Sequence, residues 1–423
     1  MTKPGLCGLV LVCALLGCSD TAFDDVRELT TAEDQAPQWL AAWGTTRESV
    51  DSYALAPRET TARNIVRLTV GGEALRIRLF NLDPAQPITI AAASVGIRQP
   101  GTRADIQPDS LRPLSFDGGA PGVVIPPNTA SYYSDPVKLA VCSQDDIAVN
   151  LYIQGENNPP EFGTSWNESY KLPNRSGDGT GQSSGENFRL IDDTPAQFPP
   201  GFPVRCNGCR PYALRDVEVL TKEASGVMLF LGSSSLHGMN TSQNQFLRVT
   251  DVLALRMRDE VPMGQRHSII TRAISGDTLG EAMRNRLDID VWPTPGLQSL
   301  VVWVTNDLTD DPADVVIDRY QTLLAEAHSR GVKVFCPTWL PGANSLQASL
   351  NGERAKLNDW ILSSGACDGV VDWNAQIEAP GGLTMLPQYN SGDFIHSNDA
   401  GHAAWAAVTP LQQWLGGQSP GSR

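Results

Sequence analysis

The chain has 423 residues, enough for two domains with full cores. Asp and Glu number 47 against 32 Lys and Arg, a formal net charge of −15, and no basic cluster or Arg-rich stripe appears. That balance argues against nucleic acid as a partner and gives the body no charge-driven pull towards anionic lipid.

Lys3 precedes a small, apolar run from Gly5 to Leu16. The run is too short to span a bilayer as a mature helix and has the shape of an export signal. Leu15-Leu16-Gly17-Cys18 resembles a bacterial lipobox. The resemblance implies that residues 1–17 are a signal peptide and that Cys18 carries lipid, holding a soluble body at a membrane surface. Ser19 rather than Asp follows, which by the same resemblance points to the outer membrane of the cell envelope. Residues 18–37 are polar and acidic, as expected of a tether.

Residues 38–154 read as an all-β, jelly-roll-like sandwich. Val66–Val70 and Leu75–Leu79 alternate on either side of Gly71-Gly72, the signature of a hairpin. Ile88–Ile90, Val123–Ile125 and Val149–Ile153 follow between turn residues. Arg76 and Arg78 share a strand parity and are expected on a solvated face. Residues 155–215, rich in Gly, Pro, Ser and Asn, read as a long irregular connection. Near its end, Cys206-Asn207-Gly208-Cys209 is expected to close a small staple. No second C-x-x-C or His pair accompanies it, so zinc is not expected. Cys142, Cys336 and Cys367 complete an odd set, so at least one of these thiols is free or pairs between molecules. The C-terminal domain is set at 216–418, with Asp216–Leu220 also readable as one more strand returning to the sandwich.

From Gly226 strands alternate with helices. The apolar runs Val227–Leu231, Ser268–Ile274, Leu300–Val304, Val332–Phe335 and Gly369–Val371 predict buried parallel strands. Helical spacing covers Phe246–Asp259, Thr278–Leu287, Ala313–Arg330, Glu353–Leu362 and Asp399–Leu415. The predicted fold is therefore α/β, a flavodoxin-like three-layer parallel sheet preceded by the sandwich. Ligands bind such sheets beyond the carboxyl ends of the strands.

Those ends carry Gly232-Ser233-Ser234-Ser235, Ser275-Gly276-Asp277 and Thr305-Asn306-Asp307, and Asp393-Phe394-Ile395-His396 stands before the last helix. This is equipment for acyl transfer. Ser234 is the candidate nucleophile, chosen over Ser233 and Ser235 by the register after Gly232. His396 is the base that activates it, and Asp393 orients that base. The amides of Ser234 and Gly276, with the Asn306 side chain, can form an oxyanion hole. No metal or organic cofactor is called for.

At these residues the chain resembles the SGNH hydrolases, also called GDSL esterases and lipases. The four name residues would be Ser234, Gly276, Asn306 and His396, with Asp393 completing D-x-x-H. The N-terminal segment is similar to the β-sandwich that precedes this domain in a bacterial branch. The chain departs from the family's usual G-D-S-I-T-D-G at Gly232-Ser233-Ser234-Ser235-Leu236-His237-Gly238, so the usual bracing Asp is Ser233. Val304 takes the usual Gly two places before Asn306, which would narrow the mouth or shift Asn306. Ser397 follows His396 where the family has Pro.

The other candidates are weaker. His237 is expected in a pocket wall, and His267, His328 and His402 in structural positions. Asp307 is expected to hydrogen-bond within its loop. Trp303, Trp339 and Trp373 are expected to pack in the core or to wall an acyl or sugar pocket. The expected function is a serine esterase acting on acetylated glycans, short-chain esters or lipids. The alternative is a surface carbohydrate-binding lipoprotein whose hydrolase domain is weakened.

Overall fold

The computed structural model describes residues 36–48, 56–163, 167–191, 210–341 and 349–416. The export signal, Cys18 and the Cys206–Cys209 loop lie outside them. Five parallel strands form the C-terminal sheet, in the order Arg266–Ala273, Ala224–Gly232, Leu297–Trp303, Lys333–Pro337 and Gly369–Val371. In sequence terms this is 2-1-3-4-5, the flavodoxin-like order. Val227 to Leu231 are fully buried, which explains their unbroken apolar run. The order reverses at Ala224–Gly232, so the switch-point crevice opens at Gly232 and the serines that follow. A disulfide ties Cys336 of the fourth strand to Cys367, two residues ahead of the fifth, and Cys142 is disulfide-bonded as well.

The helices differ from expectation mainly at two ends. Phe246 has φ +55, which no helix accommodates, so the first long helix is Val249–Glu260. Its start is capped by Asp251, which accepts from the Arg248 backbone and side chain. The final helix is Asp399–Val408, and Pro410, which has no N–H to donate, separates it from the short turn Leu411–Trp414.

The N-terminal body is antiparallel. One sheet runs Gln38–Gly44, Leu214–Thr221, Ala74–Asn81 and Thr129–Tyr133. The other has Thr60–Arg67, Asp146–Gln154 and Ile88–Ile97 at its centre. Two sequence expectations are corrected here, and a choice left open at Asp216–Leu220 is decided. Val66–Val70 and Leu75–Leu79 are not a hairpin, because the chain crosses between the two sheets at Gly71-Gly72. A Cβ at Gly71 would meet the Val141 carbonyl at 2.6 Å, and one at Gly72 the Leu220 carbonyl at 2.6 Å. These glycines serve backbone approach rather than a two-residue turn. Residues 155–215 are not simply irregular, since Ser169–Lys171 pairs with Thr60–Arg67. Leu214–Thr221 belongs to the sandwich, between Gln38–Gly44 and Ala74–Asn81, as the returning-strand reading of Asp216–Leu220 has it, and the parallel sheet begins at Ala224 rather than 216.

Arg78 also departs from the solvated face expected of it, for it is fully buried. It pairs with Asp216 at 2.5 Å, and Asp216 also pairs with Arg272 of the parallel sheet. Beside them Arg215 reaches Asp290 at 2.9 Å, and Arg286 bridges Asp290 and Asp277. A line of buried ion pairs thus crosses from sandwich to parallel sheet and ends next to Gly276. The sandwich also covers the sheet's edge strand: the Thr69 hydroxyl accepts from the Ile269 N–H at 3.2 Å. The Ser268 hydroxyl donates to the Ala41 carbonyl at 2.6 Å. An edge left open would invite pairing with another chain.

Candidate active site

The strand Ala224–Gly232 ends in a tight entry to the one-turn helix Ser234–His237. A Cβ at Gly232 would strike Leu236 at 2.3 Å, so only glycine lets the turn close this sharply. The turn holds Ser234 partly open while Ser233 and Ser235 are buried.

The Ser234 Oγ lies 2.8 Å from His396 Nε2, and His396 Nδ1 lies 2.5 Å from Asp393 Oδ2. Proton positions follow from chemistry. Burial pushes the Asp393 carboxyl up, but hydrogen bonds from the His396 ring and backbone, the His396 charge and the Ile395 amide outweigh it. Asp393 is therefore held well below the usual carboxylate range and is an acceptor only. His396 Nδ1 must donate to it. In the neutral ring Nε2 is then the acceptor, and the Ser234 hydroxyl donates to it.

Asp393 has a further support that the sequence did not reveal. Asn240 Nδ2 donates to Asp393 Oδ2 at 2.8 Å and to the Ser391 hydroxyl at 2.9 Å. Asn240 has φ +69, a conformation Asn tolerates better than most residues. That tolerance was the one signal available in Gly238-Met239-Asn240. Asn240→Ala removes a hydrogen bond to a charged group, worth roughly 1.5–3 kcal/mol. The expected outcome is a fall in kcat of about tenfold to a hundredfold with KM little changed, read by steady-state kinetics on a soluble ester.

The proposed oxyanion donors sit on the flanking loops. Ile274–Asp277 closes a turn through the Asp277 N–H and Ile274 carbonyl, with Gly276 at φ +80. That value suits the third position of a type II turn. Asn306 Nδ2 donates to the Asp277 carbonyl at 2.8 Å, which ties its loop to the Gly276 turn, and the amide carries a second N–H. Asp307 accepts from the Leu279 and Gly280 amides and pairs with Arg319. It therefore caps the helix that follows Gly276 rather than orienting His396.

At Ser233, which stands where the resembled family usually has its bracing Asp, the Ser233 and Thr305 hydroxyls meet at 3.2 Å. A neutral hydroxyl pair ties the Ser234 turn to the Asn306 loop. Val304 is fully buried and presents no surface to the mouth. His237 is buried and lines a small cavity with Trp43, Arg67 and Arg248. His402 is buried and accepts from the Val249 N–H at 3.1 Å, and His328 contacts Asp368. Trp303 and Trp373 pack edge to face in the core, and Trp339 donates to the Tyr320 hydroxyl.

Residues 230–404 match the model of the GDSL-like Lipase/Acylhydrolase family. Among solved structures, the chain is similar to a GDSL-like lipase from Bacteroides thetaiotaomicron, at 16% identity over 45% of this chain and 88% of that one, with a TM-score of 0.35. It is also similar to an acetylxylan esterase from Geobacillus stearothermophilus, at 15% identity over 48% of this chain and 100% of that one, again with a TM-score of 0.35. No curated protein matches the chain.

Proposed function

We propose, for a chain whose residues 230–404 form a domain of the GDSL-like lipase/acylhydrolase family, a serine esterase that works through an acyl-enzyme. The observation that carries this reading is the continuous hydrogen-bonded line from Ser234 through His396 to Asp393. In the first half-reaction the Ser234 Oγ attacks the ester carbonyl and its proton passes to His396 Nε2. Asp393 stabilises the imidazolium that forms. The Ser234 and Gly276 amides and the Asn306 amide receive the oxyanion, each such donor being worth about 3 kcal/mol of barrier. Collapse expels the alcohol, which takes the proton from His396. Water then attacks the acyl carbonyl with His396 again as base, which frees the acid and restores Ser234.

Release of p-nitrophenolate from p-nitrophenyl acetate tests the reading, and a wild-type chain no faster than buffer would sink it. Acetylated glycans, short-chain esters and lipids are the substrate classes in view. Ser233 in place of the bracing Asp favours a second reading, a carbohydrate-binding lipoprotein with a silent hydrolase domain. Glycan binding without ester turnover is its signature.

We further propose that the protein is held at the bacterial outer membrane through lipid on Cys18. The motif Leu15-Leu16-Gly17-Cys18 supports this. Cells fed labelled palmitate are expected to label the wild-type chain and not Cys18→Ser. Equal labelling of the two would contradict the anchor.

A further inference from the structure

Between the two domains lies an open groove of about 520 Å³, within the size range of ligand sites. The sandwich lines it with Arg98, Gln99, Gln107, Gln144 and Asp146, and the hydrolase domain adds Asn244 and Phe246. We propose that this groove binds the sugar chain of a polysaccharide and so supplies the alcohol-side recognition for Ser234. The inference rests on the esterase reading for its role in catalysis, but the groove's chemistry stands independently.

The lining is what a hydroxyl-rich ligand needs. Each sugar hydroxyl is one donor and two acceptor lone pairs, and the Gln and Asn amides supply both kinds of partner side by side. The charged groups are already engaged, Asp145 by the Cys142 N–H at 2.7 Å and the other three by each other. Asp146 accepts from Arg67 at 2.8 and 3.1 Å, and Arg98 reaches it at 3.4 Å. A free anion would therefore meet a neutralised cluster in a protein of net charge −15. An acyl chain would find little apolar surface, since Ile97, Pro100 and Phe246 are the main apolar side chains of the lining.

Two further observations mark the groove as a built site. Gln144, Asn244 and Phe246 have φ of +74, +59 and +55. Three of the ten non-glycine residues in this conformation, among the described residues, therefore line one groove. Asn tolerates such backbone, but for Gln144 and Phe246 it persists only where the surroundings enforce it, and such positions cluster at ligand sites. The Gln144 Nε2 is buried and has no hydrogen-bond partner among the described residues, which leaves its amide uncommitted. The Arg67 guanidinium lies 3.2 Å from the Phe246 ring centroid, fixing the loop from the sandwich side.

The same loop leads to the candidate active site. Asn240 holds Asp393, and Ser242 donates twice to Asp399. Asn244 is four residues beyond Asn240, so their Cα atoms are at most ~14 Å apart. The groove thus begins one short loop away from the residue that holds Asp393, and a polymer seated there would extend from it towards Ser234.

The test uses the full chain and the double variant Gln99→Ala/Asn244→Gly, in which glycine keeps the positive φ. Affinity electrophoresis of the Ser234→Ala chain in deacetylated xylan, galactoglucomannan and peptidoglycan is expected to show retardation by at least one polymer. Adding the double substitution should abolish it. On the acetylated form of that polymer, the double variant should lose at least tenfold more kcat/KM than on p-nitrophenyl acetate, through KM. No retardation by any polymer, retardation that survives the double substitution, or equal losses on both substrates would overturn the groove assignment. A wild-type chain that is retarded but inactive on both esters would instead overturn the esterase reading and leave the groove standing.

Discussion

Ser234→Ala is expected to lower kcat for p-nitrophenyl acetate by on the order of 10⁴-fold or more. The size follows from the geometry. The Ser234 Oγ lies 2.8 Å from His396 Nε2, where the proposed nucleophile can lose its proton to a base. His396 in turn is fixed by an aspartate that accepts from its ring, its own backbone, the Ile395 amide, the Ser391 hydroxyl and Asn240. Removing Oγ leaves the oxyanion donors in place, so some residual rate above buffer is expected. KM should change little, because the hydroxyl contributes to the transition state rather than to ground-state binding. A loss of less than tenfold would mean that Ser233, Ser235 or another group does the chemistry.

Asp216→Asn is expected to destabilise the protein by about 3–5 kcal/mol, the usual cost of removing one partner from a buried ion cluster. Asp216 is fully buried and faces three guanidiniums. Burial pushes its carboxyl up, yet the charges of Arg272, Arg78 and Arg215 overcome this and hold it below the usual range. Neutralising it leaves Arg78 and Arg272 buried without their carboxylate. Chemical denaturation of the two proteins measures the difference. Replacing Arg78, Asp216 and Arg272 together by Met, Leu and Met should recover most of the loss, since an apolar set leaves no stranded charge. A drop below about 1 kcal/mol in Asp216→Asn would mean that the cluster is far more hydrated than its burial indicates.

The parallel sheet was legible because its strands are buried on both faces. Runs such as Val227–Leu231 and Leu300–Val304 stand out from their surroundings for that reason. The Ser234, His396 and Asp393 constellation was legible because each residue sits at or beyond a strand end, where the fold collects ligand-binding groups. What escaped notice depends on contacts between distant residues. Asn240 and Asp393 are 153 positions apart, and nothing local marks their hydrogen bond. Arg78 alternates along its strand like a solvent-facing charge. Its burial follows only from Asp216, 138 positions away, and from the second domain packed over both. Gly71-Gly72 carries the same composition whether it turns a hairpin or lets two sheets approach. The carbonyls of Val141 and Leu220 decide between these, and they are brought there by the tertiary fold.

Ser234, alone among three adjacent serines, is proposed to be an activated nucleophile. Labelling the wild-type chain with a fluorophosphonate probe and mapping the adduct by peptide mass spectrometry tests it most directly. A single adduct is expected on Ser234, absent from Ser234→Ala and strongly reduced in His396→Ala. No adduct on the wild-type chain, or one on Ser233 or Ser235, would contradict it.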